Sequence, residues 1–174
     1  MTPFNATLTG VERHLAPDDI VVSKTDTKGR ITYANQVFLD IAGYVENEVV
    51  GRPHNIVRHP EMPRAVFKLL WDTISQGNEI FAYVVNRAKN GDHYWVFAHV
   101  TPTFDQSGKI ISYHSSRRAP RREAVEKVRT VYRSILDEEV LHNDPKSAAA
   151  AGAEMLMRKI VGTGNSYEDL VFSL

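Results

Sequence analysis

Apolar residues along this chain fall into short alternating runs, then a helical stripe, then longer alternating runs. Ile20-Val21-Val22 and Ile31-Thr32-Tyr33 flank Thr27-Lys28-Gly29, the pattern of two short strands joined by a hairpin. From Asn35 to Ala42 a short helix is expected: Asn35 can cap it, Val37, Phe38 and Ile41 line one face, and Gly43 can end it. Pro53, Pro60 and Pro63 confine 52–63 to loop with single helical turns. Pro63 suits the first position of a helix running to about Gln76. Phe67, Leu70, Trp71 and Ile74 recur at i, i+3, i+4, i+7, which predicts that this face is buried.

Two hairpins follow. Asn90-Gly91 separates 79–88 from 92–104, and Ser107-Gly108 separates the latter from 109–118. With Gly91 at the left-handed position of a three-residue loop, Ile80, Ala82, Val84 and Asn86 share a face with Tyr94, Val96, Ala98 and Val100; a two-residue loop would shift the pairing by one. That face is apolar but small at mid-strand, so larger helix side chains or a ligand must fill the space. The opposite face carries Phe81, Tyr83, Val85, Trp95 and Phe97, enough aromatic surface to require a cover. The N-terminal segment, the C-terminal helix and a second subunit are the candidates. Beyond Arg118 an amphipathic helix is expected from Glu123 to about His142, with Val125, Val128, Tyr132 and Ile135 on one side. Asp144-Pro145 breaks it, a second helix runs from the alanine tract to Gly162, and Tyr167, Leu170, Val171 and Leu174 form a stripe in the tail.

Composition narrows the function classes. The chain has 174 residues, 21 Lys plus Arg against 21 Asp plus Glu, and no cysteine. Zero net charge argues against a dedicated nucleic-acid binder. The missing cysteine removes disulfides, thiolate nucleophiles and cysteine metal sites, and fits a reducing compartment. No apolar run reaches the ~18–20 residues of a membrane span, and the N-terminus lacks a secretion-signal pattern. A soluble, cytoplasmic protein without direct membrane insertion is expected. Arg117, Arg118, Arg121 and Arg122 read as a solvated basic junction pairing with Glu123, Glu126 or a partner's acidic face. His54, His59 and Glu61 share no fixed face, so no metal site is expected from them. No nucleophile–base pair points to an enzyme.

The order of elements, two strands, short helices, one longer helix and three antiparallel strands, is that of a PAS domain. The residues make the resemblance specific. Gly51-Arg52-Pro53-His54-Asn55-Ile56-Val57-Arg58-His59-Pro60-Glu61-Met62-Pro63 resembles the GxPHNxVRHPDMP motif of the flavin-binding PAS domain of bacterial aerotaxis receptors. Asn86-Arg87-Ala88-Lys89-Asn90-Gly91-Asp92-His93-Tyr94-Trp95-Val96 is similar to that family's NRRKNGDHYWV strand pair, and Lys28 to Asn35 resembles its first hairpin and helix cap. The resemblance implies an α+β PAS fold: a five-stranded antiparallel sheet with short helices on one face. Residues 1–19 would form an N-terminal cap, 20–118 the sensor and 119–174 a helical C-terminal extension.

The resemblance also implies noncovalently held FAD, bound through Asn35, Arg58, His59, Trp71 and Asn86. Glu61 stands where the family has aspartate, and Glu79-Ile80-Phe81-Ala82 where many of these receptors have Pro-Trp-x-Gly. The residue types agree with such a ligand. Arg58 offers a planar fork for phosphate, Asn35 and Asn86 offer amides that donate and accept, and a flavin ring needs an aromatic or apolar slot. Ala98, small on the inner face, and Tyr113 on the last strand complete the candidate set. The competing reading has Arg58 pairing with Glu61 on the surface and Asn35 serving only as a helix cap. Photochemistry through a flavin–cysteine adduct has no cysteine to use. The expected function is a redox or oxygen sensor for aerotaxis or energy taxis. With room only for the sensor and a helical tail, it would signal by contact to a separate chemoreceptor-like protein; a homodimer is a further candidate. A cofactor-free interaction module and a haem-binding gas sensor are the alternatives.

Overall fold

The computed structural model describes residues 7–161 and 166–174, the side chains of 160 and 161 excepted. Five strands, β1 (Val21–Thr25), β2 (Ile31–Ala34), β3 (Ile80–Arg87), β4 (His93–Phe104) and β5 (Ile110–Arg118), form one antiparallel sheet in the order β2-β1-β5-β4-β3. Between β2 and β3 lie α1 (Gln36–Ala42), α2 (Glu46–Val49), a single 3-10 turn (His54–Val57) and α3 (Arg64–Ser75). The helices α4 (Arg122–Glu139), α5 (Pro145–Val161) and α6 (Tyr167–Ser173) follow the sheet. Gly162, the expected end of the helix after the alanine tract, lies outside the described residues.

Local chemistry sets most of these boundaries. Asn35 caps α1: its side-chain oxygen accepts from the backbone N–H of Phe38 at 3.0 Å, and Gly43 ends the helix at φ 71°. Pro63 sits at the capping position before α3 rather than in its first turn, one residue earlier than its chemistry suggests. The turn α2 has no counterpart in the apolar periodicity. In the β3–β4 hairpin, Ala88 N–H donates to Asp92, leaving a three-residue loop with Gly91 at φ 97°. The pairing Ala82↔Ala98, Val84↔Val96 and Asn86↔Tyr94 follows, which is the expected register.

The aromatic outer face is covered by α4 and α6. Tyr132 stacks near Trp95 and donates its hydroxyl to the Tyr83 carbonyl at 2.5 Å, while Phe172 lies 4.9 Å from the Phe81 ring. Val125, Val128, Tyr132 and Ile135 are buried there as their spacing predicts, and Val171 is buried in α6. The N-terminal segment runs instead beside the start of β4, exchanging backbone hydrogen bonds between Val11, Arg13 and His93.

Two expectations need correction. The stripe Phe67, Leu70, Trp71 and Ile74 is only partly buried: Ile74 is fully buried, Phe67 and Leu70 are half-buried against the core, Trp71 is exposed, and all four line a cavity. Arg117 is no part of a solvated junction. It alternates inward with Tyr113 and Ser115 and is 5% exposed. Arg122, by contrast, is exposed and pairs with Glu12 at 2.6 Å.

Candidate functional site

A cavity of about 450 Å³ lies between the inner face of the sheet and α3, within the usual range for a small-molecule site. Its floor comes from the strands, and its position follows from the register. Arg117 pairs with Ala98 across β5–β4, and Ala98 pairs with Ala82. The two alanines leave open the volume that larger side chains would fill. The walls are Phe67, Leu70, Trp71 and Ile74 of α3, opposite Asn86, Val100 and Tyr113. At the mouth Trp71 meets the Tyr113 ring edge-on at 5.6 Å and lies against Gly29, where a Cβ would come within 2.9 Å of the indole.

The polar groups converge at one end. Arg117 Nη2 donates to Ser23 Oγ at 2.9 Å and stands 2.9 Å from His54 Nε2, with its guanidinium 5.9 Å from the centre of the Phe38 ring. Burial pushes the His54 pKa down to about 3, helped by the Arg117 charge, so the ring is neutral and Nε2 accepts the Arg117 proton. Burial also lowers Arg117 to about 10, with no carboxylate among its contributing neighbours. Arg117 Nη1 and Ser115 Oγ are both buried, line this cavity through their residues, and have no hydrogen-bond partner. Orphaned buried polar atoms are costly, and such a pair beside a cavity fits a ligand with acceptor groups or negative charge.

A second polar group forms the rim. Lys28 and Arg64 are exposed there, and Arg58 is half-buried. Arg58 Nη2 donates to the Met62 carbonyl at 2.9 Å, its guanidinium lies 5.3 Å from the Phe67 ring centre, and Nε is another orphan. Burial and then the neighbouring Arg64 cation lower its pKa, while Glu139 works the other way. A short antiparallel bridge joins the Arg58 and Asn86 backbones, so the loop is pinned to β3 beside the cavity.

Of the candidate residues, Arg58, Trp71, Asn86, Ala98 and Tyr113 line the cavity together. Asn35, His59 and Glu61 do not. The Asn35 amide is committed to backbone, accepting from Val22 and Phe38 and donating to Ile20, which is the capping role. His59 is buried against His93 with ring centres 5.6 Å apart, and its Nδ1 accepts from the Glu61 N–H. Glu61 is exposed, and no ion pair links it to Arg58 among the described residues. His54, weighed above with His59 and Glu61, stood outside the candidate set, and sequence reasoning missed Ser23, Ser115 and Arg117 as site residues. Strand alternation from Tyr113 would have placed Ser115 and Arg117 on the inner face.

Residues 31–117 match the family described as the PAS fold. The aerotaxis receptor of Escherichia coli K12 is 42% identical over 121 residues, covering 70% of this chain and 24% of the receptor. The bacterioopsin transcriptional activator of Halobacterium salinarum is 29% identical over 164 residues, 87% of this chain and 24% of that protein. The chain thus spans about a quarter of the length of these curated relatives. The dark structure of the LOV domain of the blue-light photoreceptor Aureochrome1 superposes with a TM-score of 0.56 at 25% identity, covering 66% of this chain and 85% of that one. A light-oxygen-voltage domain studied with a flavin analogue gives 0.56 at 22% identity, covering 63% and 82%, which bears on the fold alone. Taken with the antiparallel sheet order and the helices on its inner face, the match over 31–117 means that the chain belongs to the PAS-fold family.

Proposed function

We propose that the cavity holds FAD and that the chain is a cytoplasmic redox or oxygen sensor for aerotaxis or energy taxis. It would pass its signal by contact to a separate chemoreceptor-like protein. The observation that carries this reading is the buried Arg117 guanidinium with an unpartnered Nη1, together with the unpartnered Ser115 Oγ, among the residues that line a largely apolar slot. The resemblance of the 51–63 and 86–96 motifs to the flavin-binding PAS domain of aerotaxis receptors supports flavin as the occupant, and the rim cations support a dinucleotide rather than a bare ring. No described helix is long and apolar enough to cross a membrane.

When bound, the cofactor supplies reversible uptake of electrons and protons. The chain supplies the rest. Phe67, Trp71 and Tyr113 would enclose the ring and exclude water, and the Asn86 amide would be free to donate and accept at its edge. Neutral His54 holds Arg117 by accepting its proton, so the cation stays aimed at the cavity instead of turning outward. Lys28, Arg58 and Arg64 would hold the phosphates at the rim. Arg117 would respond to a change of charge in the slot, and its contacts reach β1 through Ser23 and the 3-10 turn through His54. The sheet then links that end to the outer face under α4 and α6. Signalling through that face, to a partner or to a second copy of the chain, belongs to the same proposal.

The visible spectrum of the purified protein tests it. Flavin absorption, with FAD identified by mass after release by heat, is expected. A haem spectrum, or a colourless protein that takes up no added FAD, would overturn the reading; the latter leaves a cofactor-free interaction module.

A further inference from the structure

The cavity wall is fastened to the helical extension at one point. The first two residues of α3, Arg64 and Ala65, donate their backbone N–H groups to the carboxylate of Glu139, at 3.0 and 2.8 Å. Glu139 is the last residue of α4, lies 75 positions further along the chain from Arg64 and is 3% exposed. Helix α3 has no side-chain cap of its own, because the residue at the capping position is Pro63. Its N-terminal donors therefore depend on a residue outside the sheet-and-helix unit. Helix α5 closes over the same carboxylate: a Cβ at its Gly152 would lie 2.7 Å from Glu139 Oε1 and 3.0 Å from the Ala65 Cβ. On the cavity side, Arg64 Nη1 is 3.8 Å from Glu139 Oε2, and Arg58 also feels its charge. Both arginines line the rim.

We propose that Glu139 is a charge-operated latch that couples occupancy of the cavity to the α4–α5 unit. The identity of the occupant rests on the flavin reading above; the latch geometry does not. Phosphate at the rim competes with Glu139 for Arg64 and Arg58 and adds negative charge beside a carboxylate already buried. The two effects act in one direction, weakening the hold of Glu139 on the α3 N-terminus and loosening the seat of α5 on Ala65. Coupling of this kind is reciprocal, so neutralising Glu139 must strengthen FAD binding by the same factor, ~5-fold or more for a useful switch.

Hydrogen exchange of the full chain, alone and saturated with FAD or riboflavin, tests the latch. In the wild type FAD is expected to speed exchange in α5 and at the Arg64 and Ala65 amides, whereas riboflavin, which fills the slot but carries no phosphate, leaves them unchanged. Glu139→Gln keeps an acceptor oxygen for α3 while losing the charge; it should fold, bind FAD more tightly and lose the FAD-dependent change. Gly152→Ala, which pushes on the carboxylate from α5, should reduce the same change without touching the cavity. FAD that binds the wild type but leaves α5 exchange unaltered overturns the latch, as does an identical response in Glu139→Gln. Failure of both flavins to bind overturns the flavin reading, and the latch with it.

Discussion

Replacing Arg117 by methionine should preserve or raise the stability of the ligand-free protein while weakening FAD binding, so that one change separates folding from ligand affinity. Arg117 is 5% exposed, and its pKa falls from 12.5 to about 10 on burial. That corresponds to roughly 3 kcal/mol held against the charged form. Methionine has similar length, fills the same channel beside Phe38 and brings no charge. The groups it abandons can satisfy each other, since Ser23 Oγ and His54 Nε2 are already 3.1 Å apart. Methionine removes the cost of holding an unpaired charge away from water while keeping the packing, so Arg117→Met should unfold at equal or higher urea concentration. With FAD the balance reverses. Losing a charge-assisted hydrogen bond costs ~1.5–3 kcal/mol, or about 10- to 150-fold in affinity. Urea unfolding of the ligand-free protein and flavin titration of the folded one measure the two effects separately. A variant destabilised by more than about 1 kcal/mol with unchanged FAD affinity would refute the assignment and leave Arg117 a structural residue.

Other outcomes follow from the same geometry. Ala98→Leu puts added volume into the cavity floor and should expel FAD from a protein that still folds; unfolding with or without FAD would show that Ala98 packs against protein. The unfolded chain protonates His54 below pH 6.5 while the folded chain resists down to about 3, so its stabilising contribution is whole above pH 6.5 and is lost as pH falls toward 3. Urea unfolding across that window should show a slope approaching ~1.4 kcal/mol per pH unit that flattens in His54→Gln; an unchanged slope in the variant contradicts the assignment. Gly91→Ala places a Cβ 2.1 Å from the Thr7 carbonyl oxygen at φ 97°. It should cost more than ~1–2 kcal/mol in thermal unfolding and speed proteolysis near residue 7; unaltered values would mean that the segment is not docked there.

The sheet was legible because its signals are local. Asn90-Gly91 set the register, and the register put Ala82 and Ala98 side by side over the future cavity. The stripe on α3 was legible as a face but not as a cavity wall, because periodicity reports which residues avoid water and not what they meet. Trp71 is 37% exposed where a packed helix face would be buried. Arg117 was hidden by its neighbours. Arg118, Arg121 and Arg122 make a run that reads as solvated, and only strand alternation separates the inward member from the rest. Asn35 shows the opposite limit: the amide that suits a ligand also suits a helix cap, and composition alone does not choose. Glu139 was invisible, since its bonds join residues 75 apart that no motif connects.

The central claim, that a flavin occupies the slot between α3 and the sheet, can be tested through the chain's two tryptophans. Trp71 lines the slot, and Trp95 lies on the outer face against Tyr132. In a Trp95→Phe protein, Trp71 is the only indole, and its fluorescence should fall steeply and saturably as FAD is added, with one flavin bound per chain. The complementary Trp71→Phe protein, which reports from Trp95, should show the weaker quenching. Unchanged Trp71 emission in the presence of bound FAD would place the flavin elsewhere and contradict the account.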